Sequence, residues 1–202
     1  HGQAVMRRRQ NALVIIDLPV GSYENSPQQA LASARRVLDE TGADGVKLEG
    51  GSDIAGHVAL LAESGIAVLA HIGLLPQHVP SKSGFRITGR TAQEAAQLVA
   101  DASALSQAGV FGIVMEGIIE PVAASIAANC TVPTIGIGAS PTCDGQILVT
   151  EDILGLYDAF TPKFVEKFVD LQNDIGVAAA AFHKAVVSGT FPQKRHLFWP
   201  KK

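Results

Sequence analysis

The chain has 202 residues, a formal net charge of −3, 47% hydrophobic residues and two cysteines, Cys130 and Cys143. That length can bury one sizeable core, and the mildly acidic balance excludes a basic nucleic-acid surface, the run Arg7-Arg8-Arg9 being too short to form one. No stretch approaches the roughly 18 consecutive apolar residues that a membrane helix needs, and two cysteines make no disulfide framework, which fits a reducing cytosol.

Taken in chain order, residues 1–10 read as the end of a helix that runs into an apolar strand at 12–17. Ser26 then offers an N-cap, Pro27 a first helical residue and Gln29 a capping-box partner, with Gly42 as the stop. A strand is expected at 44–49 and another at 66–71. Thr91 and Glu94 repeat the capping device and Gly109 closes that helix, before a strand at 110–116. Glu120-Pro121 opens a helix that reaches Asn129, and a strand follows at 133–137. A sixth strand is expected near 163–168, and a last helix from about Asp174 to Val187, ending at Gly189. The segments TGADGVKLEGG, SGIAVLAHIG and AGVFGIVMEG echo one another, each passing from a stop glycine through a strand to a polar residue and glycine.

The strands are nearly continuous in apolarity, as parallel strands covered on both faces are. Their alternation with helices predicts a parallel α/β fold, first a (β/α)8 TIM barrel and second a doubly wound sheet. A full barrel takes roughly 250 residues, so the chain, 1–202, is expected to be a single partial barrel domain lacking two β/α units. The stretch TIGIGASPTCDGQILVTEDILG ends a strand in small residues, which let the backbone approach closely. Within it Cys143 reads as a buried small residue and Asp144 as a turn or cap residue. The loop 78–90, with Ser81, Lys82, Ser83 and Gly84, exceeds the usual β/α connection and is a candidate lid.

Strands end in ionisable residues: Asp17, Glu49, His71 and Glu116. Lys47 shares a strand face with Glu49, two residues on. Singly, each has a plain structural reading: a turn residue for Asp17, an ion pair for Lys47 and Glu49, a satisfied core histidine for His71, a loop acid for Glu116. Together they would desolvate charge repeatedly at one layer without structural return. Such a set permits Mg2+ held by carboxylate and substrate oxygens, a carboxylate that removes a proton beside a carbonyl, and Lys47 and His71 as donors to substrate oxygens.

The chain resembles the ketopantoate hydroxymethyltransferase family through DLPVGSY at 17–23, VKLEGG at 46–51, HIGLLPQ at 71–77, GFRITGR at 84–90, VMEGI at 114–118 and IGIGASPTCDGQILV at 135–149. The resemblance implies a (β/α)8 barrel that uses Mg2+ and 5,10-methylenetetrahydrofolate to convert 3-methyl-2-oxobutanoate into 2-dehydropantoate, in pantothenate synthesis. It implies Asp17 as one of two metal aspartates, Glu49 as the acid beside the metal, Lys47 and His71 as oxoacid-binding residues and Glu116 as the base. It implies a ring-based homo-oligomer and a cytoplasmic location, an organellar leader being compatible with this start. It also implies two upstream units carrying a Gly-Asp-Ser motif, which residues 1–16 do not match, and a Glu and a Ser where Arg195 and Leu197 flank His196. Two other readings stand beside it: a non-catalytic remnant or interaction module of the family, and a related Mg2+-dependent lyase of 2-oxoacids.

Overall fold

The computed structural model describes residues 1–79, 85–157 and 161–200. The chain divides into two compact units, His1–Ile147 and Leu148–Lys202.

The first unit alternates helix and strand: α1 (Gly2–Met6), β1 (Ile15–Asp17), α2 (Pro27–Thr41), β2 (Gly45–Glu49), α3 (Ala55–Glu63), β3 (Ala67–Gly73), α4 (Ala92–Ala108), β4 (Gly112–Glu116), α5 (Glu120–Asn129), β5 (Thr134–Ile137) and β6 (Gly145–Gln146). Its six strands form one parallel sheet in the order β1-β2-β3-β4-β5-β6. A doubly wound sheet reverses its strand order at a switch point, and this one does not. Consecutive helices also pack side by side, α2 on α3, α3 on α4 and α4 on α5, as they do around one outer face. The doubly wound alternative is therefore set aside, and the α/β architecture is consistent with part of a TIM barrel.

Local chemistry accounts for the helix ends. Ser26 Oγ accepts the Gln29 N–H at 3.2 Å and Thr91 Oγ1 accepts the Glu94 N–H at 3.1 Å. The reciprocal contacts reach one residue further back than a capping box does. Gln29 Oε1 accepts from Asn25 N–H at 3.0 Å, and Glu94 Oε2 from Arg90 N–H at 2.7 Å. Gly42 closes α2 by donating its N–H to Leu38 O at 2.8 Å.

Strand residues alternate between two faces. Val46, Leu48, Val68, Ala70, Ile72, Ile113 and Met115 join Val58, Leu61, Leu98 and Leu105 of the helices in one core. The intervening residues, Lys47, Glu49, His71 and Glu116 among them, take the other face. Asp44 fastens the segment before β1, accepting the Val14 N–H at 2.8 Å and pairing with Arg9.

The second unit contains α6 (Thr150–Ile153), α7 (Leu171–Val187) and a 3-10 turn at Lys194–His196. Residues 163–168 form no strand, contrary to expectation. The Val165 N–H turns back to Pro162 O at 3.0 Å, which breaks extension, and the Phe168 N–H goes to Ile153 O at 2.9 Å. The sixth strand is instead β6, which the sequence hides because it is two residues long and polar. The last helix starts three residues earlier than expected, at Leu171.

Candidate active site

Strand register assembles the polar residues. Asp17 lies level with Lys47, and Glu49 with His71. Glu116 lies level with Gly73, two residues beyond His71 along β3. Asp17, Glu49 and Glu116 are the last residues of their strands, and Lys47 and His71 lie two residues before the ends of theirs, on the rim where barrel enzymes place their chemistry. Gly73 makes the junction possible: its φ is +96°, and a Cβ there would lie 2.2 Å from Glu116 O.

Exposure is greatest at the sheet edge and least at the Glu49–His71 level. The Asp17 side chain is 45% exposed, Lys47 18%, Glu116 14%, His71 3% and Glu49 2%. Lys47 Nζ donates to Asp17 Oδ2 at 2.8 Å and contacts His71 Nδ1 at 3.1 Å. An ammonium group only donates, so Nδ1 is the acceptor and the ring proton sits on Nε2. Nε2 in turn lies 3.3 Å from Glu116 Oε2. That pair is close but misaligned, and Nε2 is buried without a hydrogen-bond partner. Distance alone therefore overstates the contact, and Nε2–H stands beside Glu116 without donating to it.

Glu49 is enclosed. Its Oε1 lies 3.9 Å from Lys47 Nζ and 3.7 Å from His71 Nδ1. Its Oε2 accepts the Gln77 N–H at 3.1 Å and sits 3.2 Å from His78 Nδ1. Its backbone is held by Tyr23, whose hydroxyl donates to Glu49 O at 3.1 Å and accepts the Glu49 N–H at 3.2 Å. Burial above all keeps the Tyr23 phenol protonated well above its usual range, against the opposing contact with the Glu49 backbone. Glu24 stands behind His78, with Oε1 3.9 Å from Nε2. Burial works against its ionisation, but the backbone N–H groups of Gly21 and Tyr23, helped by His78, outweigh this and hold it below the usual carboxylate range.

The structure thus brings together Asp17, Lys47, Glu49, His71 and Glu116. Sequence reasoning missed Tyr23, Glu24, Gln77 and His78. Tyr23 and Gln77 lie inside motifs quoted above, and the signal for the other pair was an acid and a histidine just beyond two strand ends. Asp144 is a cap, accepting the Thr134 N–H at 2.8 Å and its hydroxyl at 2.9 Å. Those contacts, the backbone one first, draw its carboxyl below the usual range. Cys143 is buried. A Cβ at Gly136 would lie 2.8 Å from the Gln146 side chain, so the glycine does admit a close neighbour. Of the candidate lid, residues 80–84 lie outside the described residues. A cleft of about 290 Å³ between α4 and α5, lined by residues such as Ser106, Ile126 and Cys130, holds no carboxylate, histidine or cation.

A parallel β/α sheet of barrel type, with an acid, base and ammonium cluster on its carboxyl rim, defines an enzyme class in which strand-end residues act on a small substrate. The chain belongs to the ketopantoate hydroxymethyltransferase family, whose family model matches residues 1–194. It is similar to the 3-methyl-2-oxobutanoate hydroxymethyltransferase of Mesorhizobium japonicum, with 53% identity over 98% of this chain and 69% of that one. It is 50% identical to the protein of that name from Rhizobium rhizogenes over 100% of this chain and 74% of the relative. Identity to that of Brucella canis is also 50%, over 100% and 73%.

Proposed function

We propose that the protein transfers a one-carbon unit from 5,10-methylenetetrahydrofolate to 3-methyl-2-oxobutanoate, giving 2-dehydropantoate and tetrahydrofolate with uptake of water. The observation that carries this reading is the pair at the sheet rim. The Glu116 carboxylate stands 3.3 Å from a buried, unused His71 Nε2–H, so an acceptor for a carbon-bound proton and a donor for the adjacent carbonyl oxygen share one spot. Glu116 takes the C3 proton, His71 and Lys47 bind the oxoacid oxygens, and the resulting enolate carbon attacks the methylene carbon of the folate iminium. Water then replaces the folate nitrogen on that carbon, the C–N bond breaking as the hydroxyl goes to carbon and the water's proton to the departing tetrahydrofolate.

Among the described residues no three acidic, histidine or cysteine side chains are grouped to hold a metal. Magnesium is commonly held by only one or two carboxylates, with water and substrate oxygens completing its shell, and this donor set fits that pattern. Asp17, half exposed, would bind it directly. Glu49, with one oxygen hydrogen-bonded and the other facing Lys47 and His71, would stand beside it through water. When bound, the ion would act as a Lewis acid on the keto group.

By resemblance the protein works as a homo-oligomer in the cytoplasm. No helix among the described residues is long and apolar enough to cross a membrane.

The test is deuterium exchange at C3 of 3-methyl-2-oxobutanoate, followed by proton NMR with Mg2+ present. Exchange that falls at least about 100-fold in Glu116→Gln, within the range of general-base catalysis, is expected. Exchange that persists in that variant would remove Glu116 from the role.

A further inference from the structure

We infer that His78 is a positioning residue for the reaction proposed above: backed by Glu24, it sets the orientation of the Glu49 carboxylate. A buried carboxylate needs close partners. Those of Glu49 do not come from the neighbouring strands, because Lys47 at 3.9 Å and His71 at 3.7 Å stand beyond hydrogen-bond distance. They come from the turn after β3: the Gln77 N–H at 3.1 Å and His78 Nδ1 at 3.2 Å, both on Oε2. Among the described residues, His78 is the one side chain within hydrogen-bond distance of this carboxylate.

A second carboxylate stands behind the ring, beyond hydrogen-bond distance. The ring Nε2 lies 3.9 Å from Glu24 Oε1. Glu24 is itself pinned by the Gly21 N–H at 2.9 and 2.8 Å and the Tyr23 N–H at 3.1 Å. The two loops are tied again where Gln77 Oε1 accepts the Val20 N–H at 2.6 Å and Nε2 donates to Leu18 O at 3.2 Å. The loops after β1 and β3 therefore close over the last residue of β2, the Gln77 side chain tying them to each other and His78 reaching the Glu49 carboxylate.

This arrangement reserves Lys47 and His71 for substrate. With Oε2 held by the turn, Oε1 stays 3.9 Å back from the Lys47 ammonium. Freed from His78, the carboxylate swings onto Lys47 and competes with the oxoacid. His78→Ala should then raise KM for the oxoacid about tenfold while kcat falls less than threefold, the size expected for one hydrogen bond to a charged group. His78→Asn, whose amide nitrogen takes the place of Nδ1, should restore KM to within about threefold. His78→Gln, which replaces Nε2 instead, should not. A side chain that merely tied the loops together would not separate the Asn variant from the Gln variant.

A second measurement needs neither variant nor turnover. In the 15N-histidine-labelled wild-type chain, Nδ1 of His78 should resonate in the protonated range, because its partner oxygen only accepts. An unprotonated Nδ1, or Asn and Gln variants with equal KM, would overturn the positioning role. A wild-type chain that exchanges no C3 proton while His78 keeps its Nδ1 proton would instead overturn the proposed reaction and leave the contact standing.

Discussion

Two helices of 17 residues each, α4 and α7, are written in the same local language and meet different fates. Each has a side-chain N-cap, Thr91 for α4 and Asp170 for α7. Each is rich in alanine with scattered Leu, Ile, Val or Phe. Yet α4 buries Leu98, Ala102 and Leu105 against the sheet unit, whereas α7 buries no residue. Its Ile175, Val177, Phe182 and Val187 are 58%, 62%, 58% and 73% exposed. Caps and propensities decide that a helix forms. They do not decide what it lies against, since burial belongs to tertiary packing.

The sharpest way to break this contrast is truncation. Leu105→Ala, at a fully buried position, should destabilise the protein by about 2–5 kcal/mol in urea unfolding. Val187→Ala should stay within about 0.5 kcal/mol, as surface changes do. Equal costs would mean that α7 is packed in solution. The caps should differ less. Thr91→Ala should cost about 1 kcal/mol, and Asp170→Ala should cost less, because its bond to the Asn173 N–H is long at 3.5 Å.

The smallest effect is acid sensitivity. The Arg90 N–H first, then Arg86 and Thr91 against the pull of burial, hold Glu94 in the first turn of α4 below its usual range. A carboxyl depressed by folding adds stability that is complete above the unfolded value of about 4.3 and is lost as pH falls through the lower folded value. Wild type should therefore lose its advantage over Glu94→Gln between pH 5 and acid extremes. An advantage independent of pH would show that Glu94 acts through shape alone.

Much of the sheet unit was legible because its signals are local. Strands at 66–71 and 110–116 are near-continuous apolar runs, and the starts at Ser26 and Thr91 carry their own hydroxyls. The core site was legible for the same reason: Lys47 and Glu49 stand two apart on one strand, and His71 and Glu116 mark strand ends. His78, Gln77, Tyr23 and Glu24 were not, because their partners are chosen when two loops meet, and no spacing in the chain encodes that approach. Residues 163–168 misled because Phe164, Val165 and Phe168 look like strand residues, while Pro162 sets a turn that their apolarity does not reveal.

The Tyr23 hydroxyl continues the β1 edge beyond its end. Strand pairing between β1 and β2 stops at Asp17 and Lys47, yet the phenol both gives to and takes from the next outward-facing peptide groups, those of Glu49. A side chain thus serves as the final rung of a ladder whose rail has already turned away. The Glu49 amide should exchange with deuterated water as slowly as an amide in mid-sheet, although it occupies the last position of its strand. In Tyr23→Phe the same amide should become the first of β2 to open.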